Sequence, residues 1–182
     1  MITVLVGPEE AKFTAHKDVL CARSEFFKIA CSKNWREGQE KVVPLPEVEE
    51  ETFQTYMDLV FNLPIFVDET ESLPLVKFYV LGDFLDDVKA RDKALRLLIA
   101  ERFCPTPGTV GFIWDHTTSS SLLRQAAYDG VAARVGVIEF ARKVKQYPAE
   151  FVQQFAVKMY FHVPAVFPYP SARLQAFLES GR

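Results

Sequence analysis

The order of hydrophobic and polar positions places strands early in the chain and helices through most of the rest. MITVLVG, residues 1 to 7, is a short β-branched and apolar run that ends at a Gly-Pro pair, and AKFTAH, residues 11 to 16, alternates in character. We expect these two runs to form a hairpin. EKVVPLPEV, residues 40 to 48, holds a β-branched pair beside two prolines, which indicates a short edge strand.

From Lys17 onwards the apolar positions recur at near-helical spacing, and Ser24 interrupts the run. This pattern predicts two short helices, over 17 to 23 and 25 to 32, that form a helical hairpin. The hydroxyl of Ser24 is well placed to cap the second helix, because a serine oxygen accepts a hydrogen bond from the amide of the helix's first turn.

Three longer helices are predicted next. The acidic residues at 47 to 51 favour a helix N-terminus, and an amphipathic stripe follows them. Residues 62 to 72 predict a connector with a short strand in IFV, residues 65 to 67, and further helices are predicted over 73 to 86 and 88 to 103. The expected inward faces are Phe53, Tyr56, Met57, Val60 and Phe61; Val76, Tyr79, Val80 and Phe84; and Leu95, Leu98, Ile99 and Phe103.

CPTPGT, residues 104 to 109, is the clearest boundary signal, with two prolines and a glycine in six residues. We therefore expect one domain over 1–103 and a helical C-terminal extension over 104–182. The predicted class is α+β, mostly α. The extension's expected helix markers are Phe112, Ile113 and Trp114; a start near Leu122; Ile138, Ala141 and Val144; the stripe Phe151, Val152, Phe155, Ala156, Met159, Tyr160 and Val163; and SARLQAFLESGR at 171 to 182.

Composition narrows the function classes. The chain of 182 residues is 49% hydrophobic and carries sixteen Phe, which favours a packed core, and its net charge of -3 does not suit a nucleic-acid partner. No apolar run approaches the roughly 20 residues of a membrane span, so we expect no membrane association. Three cysteines without CxxC spacing and no signal peptide predict an intracellular protein, cytoplasmic or nuclear. No cofactor or metal site is expected.

Two clusters invite a catalytic interpretation, and both have a simpler one. His16 lies near Cys21 in sequence, but no third group is present to orient the histidine, so we expect it to cap the helix turn while Cys21 and Cys31 act as small buried hydrophobes. Residues 119 to 121 are serines close to His116, yet no nucleophile elbow accompanies them and helix capping explains them. The chain is thus not expected to be an enzyme; a small hydrolase using Cys21 or Ser120 is the disfavoured alternative.

The first hundred residues resemble the BTB/POZ domain. The family pattern F-x-A-H-(K/R)-x-V-L-x-x-x-S-x-x-F fits KFTAHKDVLCARSEFF, residues 12 to 27, and the likeness extends over about residues 2 to 103. The helical remainder is similar to the extension of fungal BTB-domain proteins. The positions that match the pattern are Phe13, Ala15, His16, Lys17, Val19, Leu20, Ser24 and Phe27.

The resemblance implies a small β-sheet flanked by short helices, without enzymatic activity, that mediates self- or hetero-association between proteins. Many members bridge a substrate to a cullin-type ubiquitin ligase through a hydrophobic-x-acidic motif, and Trp35, Arg36 and Glu37 stand at the matching place, with Trp35 expected to be at least half exposed. By the same analogy a homodimer would use the helical hairpin. The residues expected on that dimer face are Val19, Ala22, Arg23 and Phe27.

Two functions remain open from the sequence. One is an interaction module that acts as a cullin adaptor, and the other is a structural or regulatory oligomerisation domain, for example in a transcriptional complex, without a ubiquitin link. The stripe over 149 to 163 fits either packing on the first domain or an open partner groove, because an apolar helix face looks the same in both cases.

Overall fold

The computed structural model of the chain describes residues 1–32, 36–65 and 72–162. Three strands and three short helices come first, and longer helices follow, as the α+β, mostly α class predicted. In chain order the elements are β1 (Ile2–Val6), β2 (Ala11–Ala15), α1 (Lys17–Cys21), α2 (Glu25–Ala30), α3 (Arg36–Glu40), β3 (Val42–Leu45), α4 (Glu50–Val60), α5 (Leu73–Phe84), α6 (Val88–Ala100), α7 (Pro107–His116), α8 (Leu122–Arg134), α9 (Val137–Lys143), a 3₁₀ turn (Val144–Gln146) and α10 (Ala149–His162).

The sheet has the order β2-β1-β3. β1 is antiparallel to β2, with Val4 opposite Phe13, and parallel to β3, with Val4 opposite Val43. Both the hairpin and the edge strand were predicted correctly. Gly7 directly follows β1 with a φ of 73°, a left-handed conformation that suits glycine, and its amide donates to the carbonyl of Leu45 at 3.0 Å. The turn is thus fastened to the edge strand.

The predicted helical hairpin is present as α1 and α2. Ser24 caps α2 as expected, since its Oγ accepts from the Phe27 amide at 3.1 Å. The same Oγ donates to the carbonyl of Leu85 at 2.5 Å, which ties the hairpin to the end of α5. His16 occupies the N-cap position of α1, but its exposed side chain makes no capping hydrogen bond. The prediction of a side-chain cap is therefore wrong, because the imidazole lies in solvent.

The helices α4, α5 and α6 form the layer beneath the hairpin. The α4 stripe is buried as predicted, except that Phe61 lies at the C-cap and is 46% exposed. α5 and α6 pack closely, because a Cβ on Gly82 would lie 2.9 Å from the Arg91 amide nitrogen. Phe84 and Ile99 were predicted to face inward and are 56% and 61% exposed. α5 is apolar on most of its sides, so its pattern did not show which side faces solvent.

The extension continues the same hydrophobic core. Thr106 and Ser121 cap α7 and α8 with their side chains, and α7 packs on α5. Inside the extension, Trp114 meets Tyr128 and Phe151 edge to face, at ring-centroid separations of 5.3 and 5.2 Å. Because this cluster joins the core without a break, the division at residues 103 and 104 stays a prediction from the sequence.

Helix α9 departs from its predicted face. Ile138 and Ala141 are exposed, the first by 73%, and Val144 is half-buried. Phe140 makes the inward contacts instead, with its ring 4.8 Å from that of Phe155. In a helix of seven residues, one large aromatic side chain is enough to set which side faces the core.

The expected IFV strand falls largely, and SARLQAFLESGR wholly, outside the described residues, as does Val163.

Across the described ranges, no helix has both the length and the apolar character that a bilayer crossing requires.

Gly130 offers a test of how tightly the extension is joined to the first part of the chain. A Cβ at Gly130 would lie 2.2 Å from the Phe103 carbonyl oxygen, so Gly130→Ala must push α8 away from this segment. We expect a loss of about 1–3 kcal/mol in the free energy of unfolding by urea. Gly111→Ala is the control, because its Cβ would meet nothing within 4 Å and should be neutral or stabilising. Equal effects would refute the close packing.

Candidate partner-binding surfaces

The predicted dimer face on α1 and α2 needs one correction. Ala22 is exposed and Val19 is half-buried, but Phe27 is completely buried. Ser24 fixes the rotation of α2 by bonding to Leu85, and Phe27, three residues on, shares that inward side. Phe27 is therefore a core residue, and the apolar side chain that α2 exposes most is Ile29, at 51%.

Arg23, the remaining residue of that predicted face, takes part in a largely buried ion pair. Its Nε donates to Oδ2 of Asp87 at 2.9 Å, and the two side chains are 16% and 1% exposed. Tyr56 donates its hydroxyl to the same oxygen at 3.2 Å, while Oδ1 accepts from the Ala90 amide at 3.0 Å and caps α6. The structure thus uses Arg23 to hold the hairpin on the helical layer.

This network changes the acidity of its tyrosine. Burial is the main cause that raises the pKa of Tyr56 well above its usual range, and the nearby Asp87 carboxylate is the second. The Arg23 guanidinium acts in the opposite direction and lowers this pKa. The phenol therefore remains a hydrogen-bond donor to Asp87 at every physiological pH.

The two hairpin cysteines are structural in their surroundings. Cys31 is buried, and burial raises the pKa of its thiol to about 11, so the reactive thiolate is disfavoured. Cys21 is only half-buried and donates its thiol to the Phe27 carbonyl at 3.5 Å. The expectation of a small buried hydrophobe is confirmed for Cys31 and only partly met by Cys21.

The residues predicted to form a cullin-type motif lie between α2 and β3 in the sequence. Trp35 falls outside the described residues, and Arg36 is described by its backbone alone, as the first residue of α3. Glu37 is half-buried in the first turn of that helix. A Cβ on Gly38 would lie 1.9 Å from the Ser32 carbonyl oxygen, so α3 is pressed against the residues that follow α2. Its close contact with the end of the hairpin sets the position of Glu37.

The serine and histidine cluster near α7 is occupied by local hydrogen bonds. His116 bonds through Nδ1 to the Phe112 carbonyl at 2.8 Å and stacks on the Phe112 ring. Ser120 pairs with Thr118, and Ser121 caps α8, which confirms the capping interpretation for Ser121. Within the described ranges, no group of three or more His, Cys, Asp and Glu side chains is arranged to hold a metal ion.

A groove of about 430 Å³ opens between the segment leading into α4, helix α5 and helix α7. We call its apolar lining residues the floor and its charged lining residues the rim. It brings together residues that lie up to about seventy positions apart, and no local pattern in the sequence indicates it. Among its lining residues are Val80, Phe84, Phe112, Glu47, Glu49 and Asp83.

Asp87 was also missed, although one local signal for it exists. An aspartate directly before a helical apolar pattern is a typical N-cap, and DDVKA fits that rule at residues 86 to 90. Its other two partners, Arg23 and Tyr56, lie 64 and 31 positions away in the chain. The spacing of apolar residues along the sequence does not indicate contacts between residues so far apart.

Comparison with known families agrees with the fold. The family model described as BTB/POZ domain matches residues 2–99, more than half of the chain. The match ends within α6 and leaves the extension unassigned, so its likeness to fungal proteins stays a prediction. A search of curated proteins found no match.

The raised pKa of Tyr56 predicts a loss of stability in alkali. A phenol whose pKa rises above 10 on folding contributes stability that is present below pH 10 and lost as the pH rises further. Tyr56→Phe should cost about 1 kcal/mol at neutral pH, through the hydrogen bond to Asp87, and should flatten the decline above pH 10. Urea unfolding between pH 7 and 11 measures both effects. An unchanged alkaline slope would show that Tyr56 is not the group responsible.

Proposed function

The chain belongs to the BTB/POZ domain family and is a protein–protein interaction module, and we propose that it is a non-catalytic adaptor that links a substrate to a cullin-type ubiquitin ligase. The adaptor would act inside the cell, in the cytoplasm or nucleus, where such a ligase would meet it. Its cullin contact would be the segment of Trp35, Arg36 and Glu37.

The position of Glu37 is the observation that carries this proposal. It lies in the first turn of α3, and the resemblance in sequence aligns it with the acidic residue of the adaptors' docking motif. Gly38 holds α3 against Ser32, so the carboxylate is presented from a fixed backbone. Two residues earlier stands Trp35, and a large aromatic side chain is the type of residue that most often anchors an interface.

Cullin binding by purified proteins tests the adaptor proposal. The full chain should retain a cullin in a pull-down, and Trp35→Ala or Glu37→Lys should weaken that binding at least about tenfold while the melting temperature stays nearly unchanged. Glu9→Lys is the matched control, because Glu9 is an exposed acid in the β1–β2 turn. No binding of the unaltered chain at tens of micromolar would reject the adaptor role, and a large loss of melting temperature in Trp35→Ala would make Trp35 a core residue.

Self-association is a second candidate function, and the surface of the helical hairpin favours it. Ile29 is half exposed, Ala22 is exposed, and Val19 and Phe26 are only partly covered. Apolar area at neighbouring positions on a short hairpin is typical of an association surface. A chain that dimerises here without binding a cullin would be an oligomerisation domain, for example in a transcriptional complex.

Light scattering measures the mass that this second candidate predicts. We expect a dimer at high concentration, and Ala22→Asp should convert it to a monomer because a carboxylate would be desolvated in the interface. Ala100→Asp is the control, since Ala100 is an exposed alanine at the end of α6. A monomeric mass for the unaltered chain, or equal behaviour of the two variants, argues against this face.

A further inference from the structure

The groove between α4, α5 and α7 has an apolar floor that the fold leaves uncovered. Phe84 is 56% exposed, and Val80 and Phe112 are half-buried beside it. Its volume of about 430 Å³ lies within the range of about 300–1,000 Å³ in which proteins hold ligands. The groove is therefore large enough to accept at least one bulky apolar side chain.

The rim of the groove carries an excess of negative charge. Glu47, Glu49 and Asp83 line it together with a single ammonium group, that of Lys77. Lys77 is already paired with Glu49 at 2.5 Å, and Asp83 is paired with Arg91, which does not line the groove. Glu47 is exposed and makes no ion pair with any residue that the structure describes.

The wall of the groove that α7 forms is held in place by contacts within that helix. The His116 ring stacks on that of Phe112 with centroids 4.1 Å apart, and its Nδ1 bonds to the Phe112 carbonyl. The Phe112 ring is therefore already held in place, so a ligand that packs on it would restrict this side chain little further. A preorganised apolar wall lowers the entropic cost of binding.

We propose that this groove binds a partner peptide in which a large apolar side chain stands next to a lysine or arginine. The apolar side chain would pack on Phe84 and Phe112, and the cation would meet Glu47, whose carboxylate is the uncommitted charge of the rim. None of the described residues that line the groove comes from α3, so the peptide and a cullin would occupy separate surfaces.

In the adaptor proposed above, this peptide would belong to the substrate. That assignment rests on the proposed function, whereas peptide binding by the groove does not. Binding would weaken as salt is added, because the charge at Glu47 is exposed and screened by ions.

Selection from a phage-displayed library of random peptides on the full chain tests the proposal. Enriched peptides should carry a large apolar residue beside Lys or Arg, and a synthetic, fluorescently labelled copy of the most enriched one is then titrated. Phe84→Asp and Glu47→Lys should each weaken its binding at least about tenfold. The matched controls are Ile99→Asp, an apolar residue of similar exposure on α6, and Glu101→Lys, an exposed acid beside it.

The other outcomes overturn the proposal. These are no enrichment, enrichment of peptides that lack a basic residue, or loss of binding in Ile99→Asp with retention in Phe84→Asp. If a peptide of residues 171–182 displaces the probe, the occupant is the chain's own C-terminal segment instead of a partner. If Phe84→Asp fails to fold, Glu47→Lys still tests the groove. Cullin binding is measured separately on Glu47→Lys, and unchanged cullin binding shows that a failure of the peptide proposal leaves the adaptor proposal intact.

Discussion

A single buried carboxylate, that of Asp87, holds three parts of the molecule together. It receives Arg23 from the helical hairpin, the hydroxyl of Tyr56 from α4 and the amide of Ala90 at the start of α6. Removing one partner of such a pair leaves a charge without compensation away from water, at a cost of about 3–5 kcal/mol. The hydrogen bond from Ser24 to Leu85 reinforces the same junction two residues away.

The proposed cullin contact and the peptide groove both depend on this junction. Gly38 holds α3 against Ser32, just after α2, so the position of α2 sets the position of Glu37. On the other side, the junction fixes the end of α5, where Phe84 forms the floor of the peptide groove. A protein built to bring partners together gains from this arrangement, because the surfaces are held at a constant distance and angle.

Patterns in the sequence correctly predicted the features that depend on contacts within one helix. Ser24 was recognised as a cap and the α4 stripe as a buried face, since both follow from spacing along one helix. The rotation of α2 was not predicted, because it depends on the bond from Ser24 to Leu85, 61 positions away. The predictions for Phe84 and Ile138 were also wrong: the apolar pattern of α5 does not distinguish its sides, and Phe140 sets which side of α9 packs inward. The groove, composed from three helical regions, had no local signal at all.

Hydrogen exchange of the unaltered chain and of Asp87→Asn tests the central role of this carboxylate most directly. Asparagine still caps α6 and nearly matches the volume, but it removes the charge that Arg23 pairs with. We expect faster exchange across α1 and α2, whereas β1 and the interior of α5 keep their protection. Uniform loss of protection, or loss confined to the first turn of α6, would contradict it.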